Sequence, residues 1–206
     1  MKYGEKVYIY ADKTTGYYHG YDNSDAANEF YSNDRLYLRN YENTAAGEWL
    51  LEGKDVSLKG GEIEGNLNGG NLRIFDENSR FSGELTNVQI YIEKADYTWN
   101  DNIKINPSST GTEFYLGDFN GSEQRVFNMN ADITLSNETS SVAARYVTVN
   151  GNGNIITTRK LDVVKDSLFN DVTIKFGGDL DVTGGGYVEY VQLHSVRGKS
   201  PFGGQS

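Results

Sequence analysis

The chain has 206 residues, enough for one elongated domain or one core with a tail, and its formal net charge of −10 makes a nucleic-acid backbone a poor partner. Cysteine is absent, which excludes a disulfide framework and any thiolate metal site. The hydrophobic fraction is only 37%, yet 15 Tyr and 9 Phe argue against a disordered chain. With 24 Gly against 2 Pro, the composition suits many tight turns between strands whose backbone pairing is unbroken.

Residues 1–13 (MKYGEKVYIYADK) contain no apolar stretch of signal-peptide length. No later segment approaches the roughly 18 apolar residues of a membrane helix, so no membrane insertion is expected. Residues 3–10 alternate polar and apolar and read as a strand, and 12–22 (DKTTGYYHGYD) are turn-rich. Residues 24–31 (SDAANEFY) are the best helix candidate, with Ser24 as N-cap and Asp25 in the first turn. Residues 35–39 and 48–52 follow as strands.

The segment 55–94 organises the rest. It holds five strand-like runs at 56–58, 62–66, 72–75, 80–85 and 88–92, each cut off by Gly, Asn, Asp or Ser. Their starts fall about eight residues apart, which fits one side of a winding coil. Gly and Asn supply the corners. This rhythm predicts an all-β parallel β-solenoid, every coil stacked on the last. Val56 and Leu58, Leu72 and Ile74, and Val88 and Ile90 share parity at a step of 16. A step of 24 would fit three sides of about eight residues, so two-sided and three-sided coils both stay open. A triple-stranded β-helix wound from three chains is a further alternative.

From 95 to 130 the rhythm loosens, and an insertion leaving the stack is expected there. A second strand-rich block runs from 131 to 196, with clear alternation in YVTV, LDVV and VTIKF. A β-sandwich at the C-terminal end is the rival to a continued solenoid. The expected organisation is therefore an N-terminal strand and cap over 1–45, a solenoid over 46–196 and a flexible tail over 197–206.

The order Asp25-Ala26-Ala27 with Phe30, then Leu36-Tyr37-Leu38, Trp49-Leu50-Leu51 and the run 56–65 (VSLKGGEIEG) resembles the opening of pectin-lyase-like right-handed β-helices, phage tailspikes and tail fibres among them. The resemblance covers roughly residues 24–92 as a pattern of elements. It departs from that family in having Asp22 and Asp25 in place of a paired Asp-Asp, and Asn40-Tyr41 in place of Pro-Gly. It implies a right-handed parallel β-helix with a short N-terminal capping helix, and it does not carry over the family's enzymology.

Candidate chemistry is sparse. Glu62 and Glu64 share one strand face and read as solvated charges more readily than as an acid–base pair. In the cluster 96–101 (DYTWND), Tyr97 and Trp99 with Asp96 and Asp101 are candidate glycan contacts, because aromatic faces beside carboxylates hold sugar rings. Tyr17, Tyr18 and Tyr21 are candidate partner contacts. His19 and His194 are the only histidines, and neither G-x-S-x-G nor H-x-x-x-H spacing occurs. The run Asn150-Gly-Asn-Gly-Asn154 lacks a calcium-loop pattern and reads as a plain turn. No catalytic residue, metal site or cofactor is expected.

These readings predict a non-enzymatic structural virion component of a bacteriophage: a fibre, spike or decoration protein for assembly or host attachment. It would assemble in the host cytoplasm as a homotrimer with other virion proteins, with a host surface glycan as a further candidate partner. A polysaccharide depolymerase or lyase on the same scaffold is the alternative, and a bacterial surface adhesin a third.

Overall fold

A computed structural model describes residues 6–10, 12–18, 28–178, 180–182, 187–188 and 191–195. The chain is an all-β parallel β-solenoid. It divides into two compact units, one of residues 1–93 and 101–109, the other of residues 94–100 and 110–206.

The first unit winds through three faces. One holds Glu29–Tyr31, Asp55–Lys59, Asn71–Ile74 and Gln89–Ile92. The next holds Lys6–Tyr10, Arg35–Arg39, Glu62–Glu64, Arg80–Gly83 and Ile103–Ile105. The last holds Glu48–Leu50, Asn66–Asn68 and Leu85–Thr86. Strand partners within each face run parallel. The antiparallel bridges Tyr31–Gly60 and Arg39–Ala46 are isolated and lie outside these ladders.

The coil has three sides, yet its length stays close to the shorter of the two spacings expected from sequence. Val56 lies over Leu72, 16 residues on, and Leu72 lies over Ile90, 18 residues on. Three sides fit into that length because two of the expected strands contain a corner. The run 62–66 bends at Gly65, between Glu64 and Asn66, and the run 80–85 bends after Gly83. Gly65 has φ +149°, a conformation that L side chains rarely adopt. Both coil steps are even, so inward residues stay inward. Val56–Leu72–Ile90, Leu58–Ile74–Ile92 and Ile63–Phe81–Ile103 form buried columns. Each side chain so buried contributes on the order of 1.5–3 kcal/mol against an extended chain, an upper bound.

The second unit repeats the plan. Its faces are Glu113–Gly117, Ser141–Arg145, Lys160–Val164 and Leu180–Val182; Asp96–Trp99, Arg125–Met129, Val147–Asn150, Leu168–Asn170 and Tyr187–Val188; and Ile133–Thr134, Ile155–Thr158, Val172–Phe176 and Val191–Ser195. All pairings within them are parallel, which removes the C-terminal β-sandwich. Successive coils of one chain pair with each other, so the three-chain β-helix is also replaced. Outside, an amide ladder runs along one face. Asn170 Nδ2 donates to Asn150 Oδ1 (3.2 Å), Asn150 Nδ2 to Asn128 Oδ1 (2.9 Å) and Asn128 Nδ2 to Asp96 Oδ1 (3.3 Å). Asn152 and Asn154 donate to the Met129 carbonyl, so the run 150–154 is a pinned corner.

Two expectations change. Residues 24–27 of the expected helix lie outside the described residues, while Glu29–Tyr31 is a strand. The insertion near 95–130 is mostly coil: four strands in that span pair with neighbours in their own units. The longer connections there are the loops 106–112 and 118–124, and Asp118 ties the second one down. The Asp118 carboxylate accepts from the N–H groups of Asn120 (3.1 Å), Gly121 (2.9 Å) and Glu123 (2.9 Å), and Arg125 Nη2 lies 3.5 Å away. The Glu123 N–H chiefly, then those of Gly121 and Asn120 and the Arg125 charge, hold its pKa below the ordinary aspartate value against the opposing effect of desolvation. A carboxylate depressed in the folded state contributes stability above its unfolded pKa and loses it as pH falls through the folded value. The loop is therefore expected to loosen only in strong acid, below the ordinary aspartate range. Amide exchange at Gly121 and Glu123 measured down a pH series checks this; loosening already above that range contradicts it.

Candidate functional site

Parallel register turns one face of the first unit into an ordered outer surface. Alternation sends Leu36, Leu38, Ile63, Phe81 and Ile103 inward and leaves the residues between them outside. One outer row runs Tyr8, Tyr37, Glu64, Ser82, Lys104 across five paired strands. A second runs Arg35, Glu62, Arg80. Tyr10 lies opposite Arg39 beside them.

At one end of this surface sits an aromatic platform. The Tyr8 and Tyr37 rings stack at 5.2 Å and 28°, while Tyr8 and Tyr10 are 45% and 48% exposed. Arg39 braces the pair: its guanidinium lies 5.8 Å from the Tyr8 ring and 5.6 Å from the Tyr37 ring, and Nη2 meets Glu64 Oε1 at 2.6 Å. In the next row Arg35 Nε meets Glu62 Oε2 at 3.0 Å. Both arginines also donate to backbone carbonyls, which fixes their forks.

At the other end lies a groove of about 350 Å³ lined by Glu62, Arg80, Phe81, Ser82, Asp101, Asn102 and Lys104. Asn102 is pinned by its Nδ2 donating to the Glu77 carbonyl at 3.3 Å. Arg80, Lys104 and Asp101 make no ion pair with any described residue. Elsewhere on the outer strands of this unit, Arg35, Arg39, Lys59 and Arg73 are each paired with a carboxylate. The groove thus offers two cations and one carboxylate without an ion pair to a described residue, a hydroxyl and an amide, on the same face as the stacked rings. That mixture suits a polar ring-shaped ligand: apolar ring faces to stack, donors and acceptors for hydroxyls, and a net positive spot for an acidic group.

The residues singled out from sequence are scattered. Tyr97 and Trp99 are 1% and 2% exposed, so they are core residues of the second unit and not glycan contacts. Tyr97 stacks on Phe127 at 6.0 Å, and Trp99 packs against Phe114 at 5.3 Å and donates Nε1–H to the Asp132 carbonyl at 3.3 Å. The segment 96–99 is a strand, which is why its alternate residues turn inward. Asp96 is exposed at the end of the amide ladder, and Asp101 lines the groove of the first unit. Tyr17 is exposed; Tyr18 is half-buried, bridging to Trp49 with its ring 5.5 Å away; Tyr21 lies outside the described residues. Glu62 and Glu64 are half-buried and paired with arginines rather than freely solvated. Among the described residues, no group of three or more His, Cys, Asp or Glu is placed to hold a metal ion.

No family model matches this chain, and no curated protein or solved structure matches it. The outer face of the first unit therefore has to be read from its own chemistry. Sequence reading missed Tyr8, Tyr37, Arg39, Arg80 and Lys104. The signal was the polar-side alternation in YGEKVYIY and RLYLR, but their adjacency follows only from the register that puts Tyr8 on Tyr37, 29 residues away.

Proposed function

We propose that the protein is a non-enzymatic attachment or structural component, of the fibre, spike or decoration kind found on bacteriophage particles, and that the outer face of its first unit holds an acidic surface glycan. The observation that carries the ligand reading is the stacked Tyr8–Tyr37 pair on one face with a groove holding Arg80 and Lys104, which make no ion pair with a described residue. The solenoid supports a load-bearing role, because strand after strand is held by backbone pairing along the stack. The virion setting rests on the sequence resemblance, and the same proposal expects identical copies, three in number, to assemble with other virion proteins.

Glycan-array binding by the full chain tests it. Acidic oligosaccharides are expected to bind better than neutral ones. Tyr8→Ala is expected to weaken binding about fivefold to tenfold, the worth of one aromatic stack. Arg80→Gln combined with Lys104→Gln is expected to abolish the preference for acidic ligands. Equal binding by wild type and both variants overturns the site, and light scattering that returns a monomer overturns the trimer.

A specific observation keeps a second reading alive: Glu62 and Asp101 line the same groove, as a glycan-cleaving carboxylate pair would. Release of new reducing or unsaturated ends from a bound glycan, lost in Glu62→Gln or Asp101→Asn, decides for a depolymerase.

A further inference from the structure

The sequence contains four Asn-Gly steps, Asn68-Gly69, Asn120-Gly121, Asn150-Gly151 and Asn152-Gly153. At such a step the glycine backbone nitrogen, unshielded by a Cβ, attacks the asparagine side-chain carbonyl carbon. The new N–C bond closes a succinimide ring, the nitrogen loses its proton to solvent, and the side-chain nitrogen leaves as ammonia. Water then opens the ring to aspartate or isoaspartate. A glycine N–H held in a hydrogen bond must break that bond before its nitrogen can react.

Three of the four steps are held twice. The Gly69 N–H donates to the Thr86 carbonyl (2.9 Å), that of Gly151 to Asn170 (2.8 Å) and that of Gly153 to Asp171 (2.9 Å), all on the next coil. Their asparagine amides are also fixed: Asn68 on Glu48 (2.9 Å), Asn150 on Asn128 (2.9 Å) and Asn152 on the Met129 carbonyl (3.0 Å). Asn120 differs on both counts. It is exposed, its side-chain amide has no hydrogen bond to a described residue, and the Gly121 N–H is held only by the Asp118 carboxylate inside the same loop.

We infer that Asn120 is the site at which this protein deamidates while folded, and that Asp118 sets the rate by holding the Gly121 N–H. The bond acts in two ways. It keeps the nitrogen facing Asp118, and the nearby negative charge opposes loss of the N–H proton. Conversion places a second carboxylate two residues from Asp118, next to the N–H groups that Asp118 binds, so the loop loosens once the reaction has occurred.

Peptide mapping for aspartate and isoaspartate during incubation of the folded full chain in mildly alkaline buffer tests this. In wild type, Asn120 is expected to convert before the other three. In Asp118→Ala, conversion at Asn120 is expected to rise roughly tenfold, the factor carried by one charge-assisted hydrogen bond, with the other sites unchanged. Asp118→Asn, which keeps a neutral acceptor, is expected to fall between. The inference is overturned by earlier conversion at any other step or by an unchanged rate in Asp118→Ala. Equal acceleration at all four steps also overturns it, since that marks loss of the fold rather than release of one N–H.

Discussion

Trp99→Ala is expected to destabilise the second unit by about 3–5 kcal/mol, the range for emptying a buried tryptophan site. The indole is 2% exposed and packs at 5.3 Å from Phe114 and 6.3 Å from Phe127, rings that themselves contact each other at 6.1 Å. Removing it leaves a void that these rings, locked in neighbouring coils, cannot fill. Trp99→Phe keeps most of the volume and loses only the Nε1–H bond to Asp132, about 1 kcal/mol. The two tryptophans fall one to each unit, Trp49 in the first and Trp99 in the second. In urea titrations, hydrogen exchange in residues 110–176 should report the loss, with Trp49 fluorescence following the first unit separately. A change below about 1 kcal/mol for Trp99→Ala would be the size expected of a surface residue, and it would contradict the packing described. Trp99→Phe is expected to retain glycan affinity, which separates its structural place from the ligand role its sequence neighbourhood suggested.

Gly83→Ala is the second large effect. A Cβ on Gly83 would lie 1.8 Å from the Gly65 carbonyl oxygen of the preceding coil. That obstacle is backbone and cannot swing away. The two coils must part at this corner, and the Gly65 N–H to Ser82 O bond (2.9 Å) stretches with them. Overpacking costs about 1–3 kcal/mol and the strained hydrogen bond about 1 more. The neighbouring exposed Ser82→Ala should stay within about 0.5 kcal/mol. Denaturation followed by Trp49 fluorescence in a Trp99→Phe background distinguishes them; equal midpoints for the two variants would mean that the corner has slack the geometry denies it.

The same corner explains what was legible in the sequence. Short runs broken by Gly and Asn gave the solenoid, and the pairing of Val56 with Leu72 was visible as an even step. The next step was misjudged: Leu72 pairs with Ile90 rather than Val88, because residues 75–79 add a small bulge to that coil before Arg80. Gly65 and Gly83 sit inside what reads as continuous alternation, so periodicity alone ran two sides together. Alternation was also the missing clue at 96–99. Read as a loop, Tyr97 and Trp99 are available; read as a strand, both point inward while Asp96 and Thr98 alternate with them on the outside. Conversely, the Tyr8–Tyr37 platform was hidden because a stack's lateral neighbours depend on the length of every intervening corner, and the sequence between the two strands, turn-rich over 12–22 and helix-like over 24–31, follows no strand period. Composition carried the kind of surface but not its address.

One consequence of the matched register concerns how such a molecule can change length. Asn71 and Gln89 occupy equivalent positions on consecutive coils. Excising residues 71–88 would splice Gly70 directly onto Gln89 and lay Gln89–Ile92 against Asp55–Lys59 with every inward residue still inward. A lineage can therefore shorten or extend the first unit's stack by whole turns through deletion or duplication of a gene segment, whereas loss of a single residue within a strand would turn that strand inside out. Reach becomes a heritable dimension that is tuned in steps of one winding, independently of whatever the outer rows recognise.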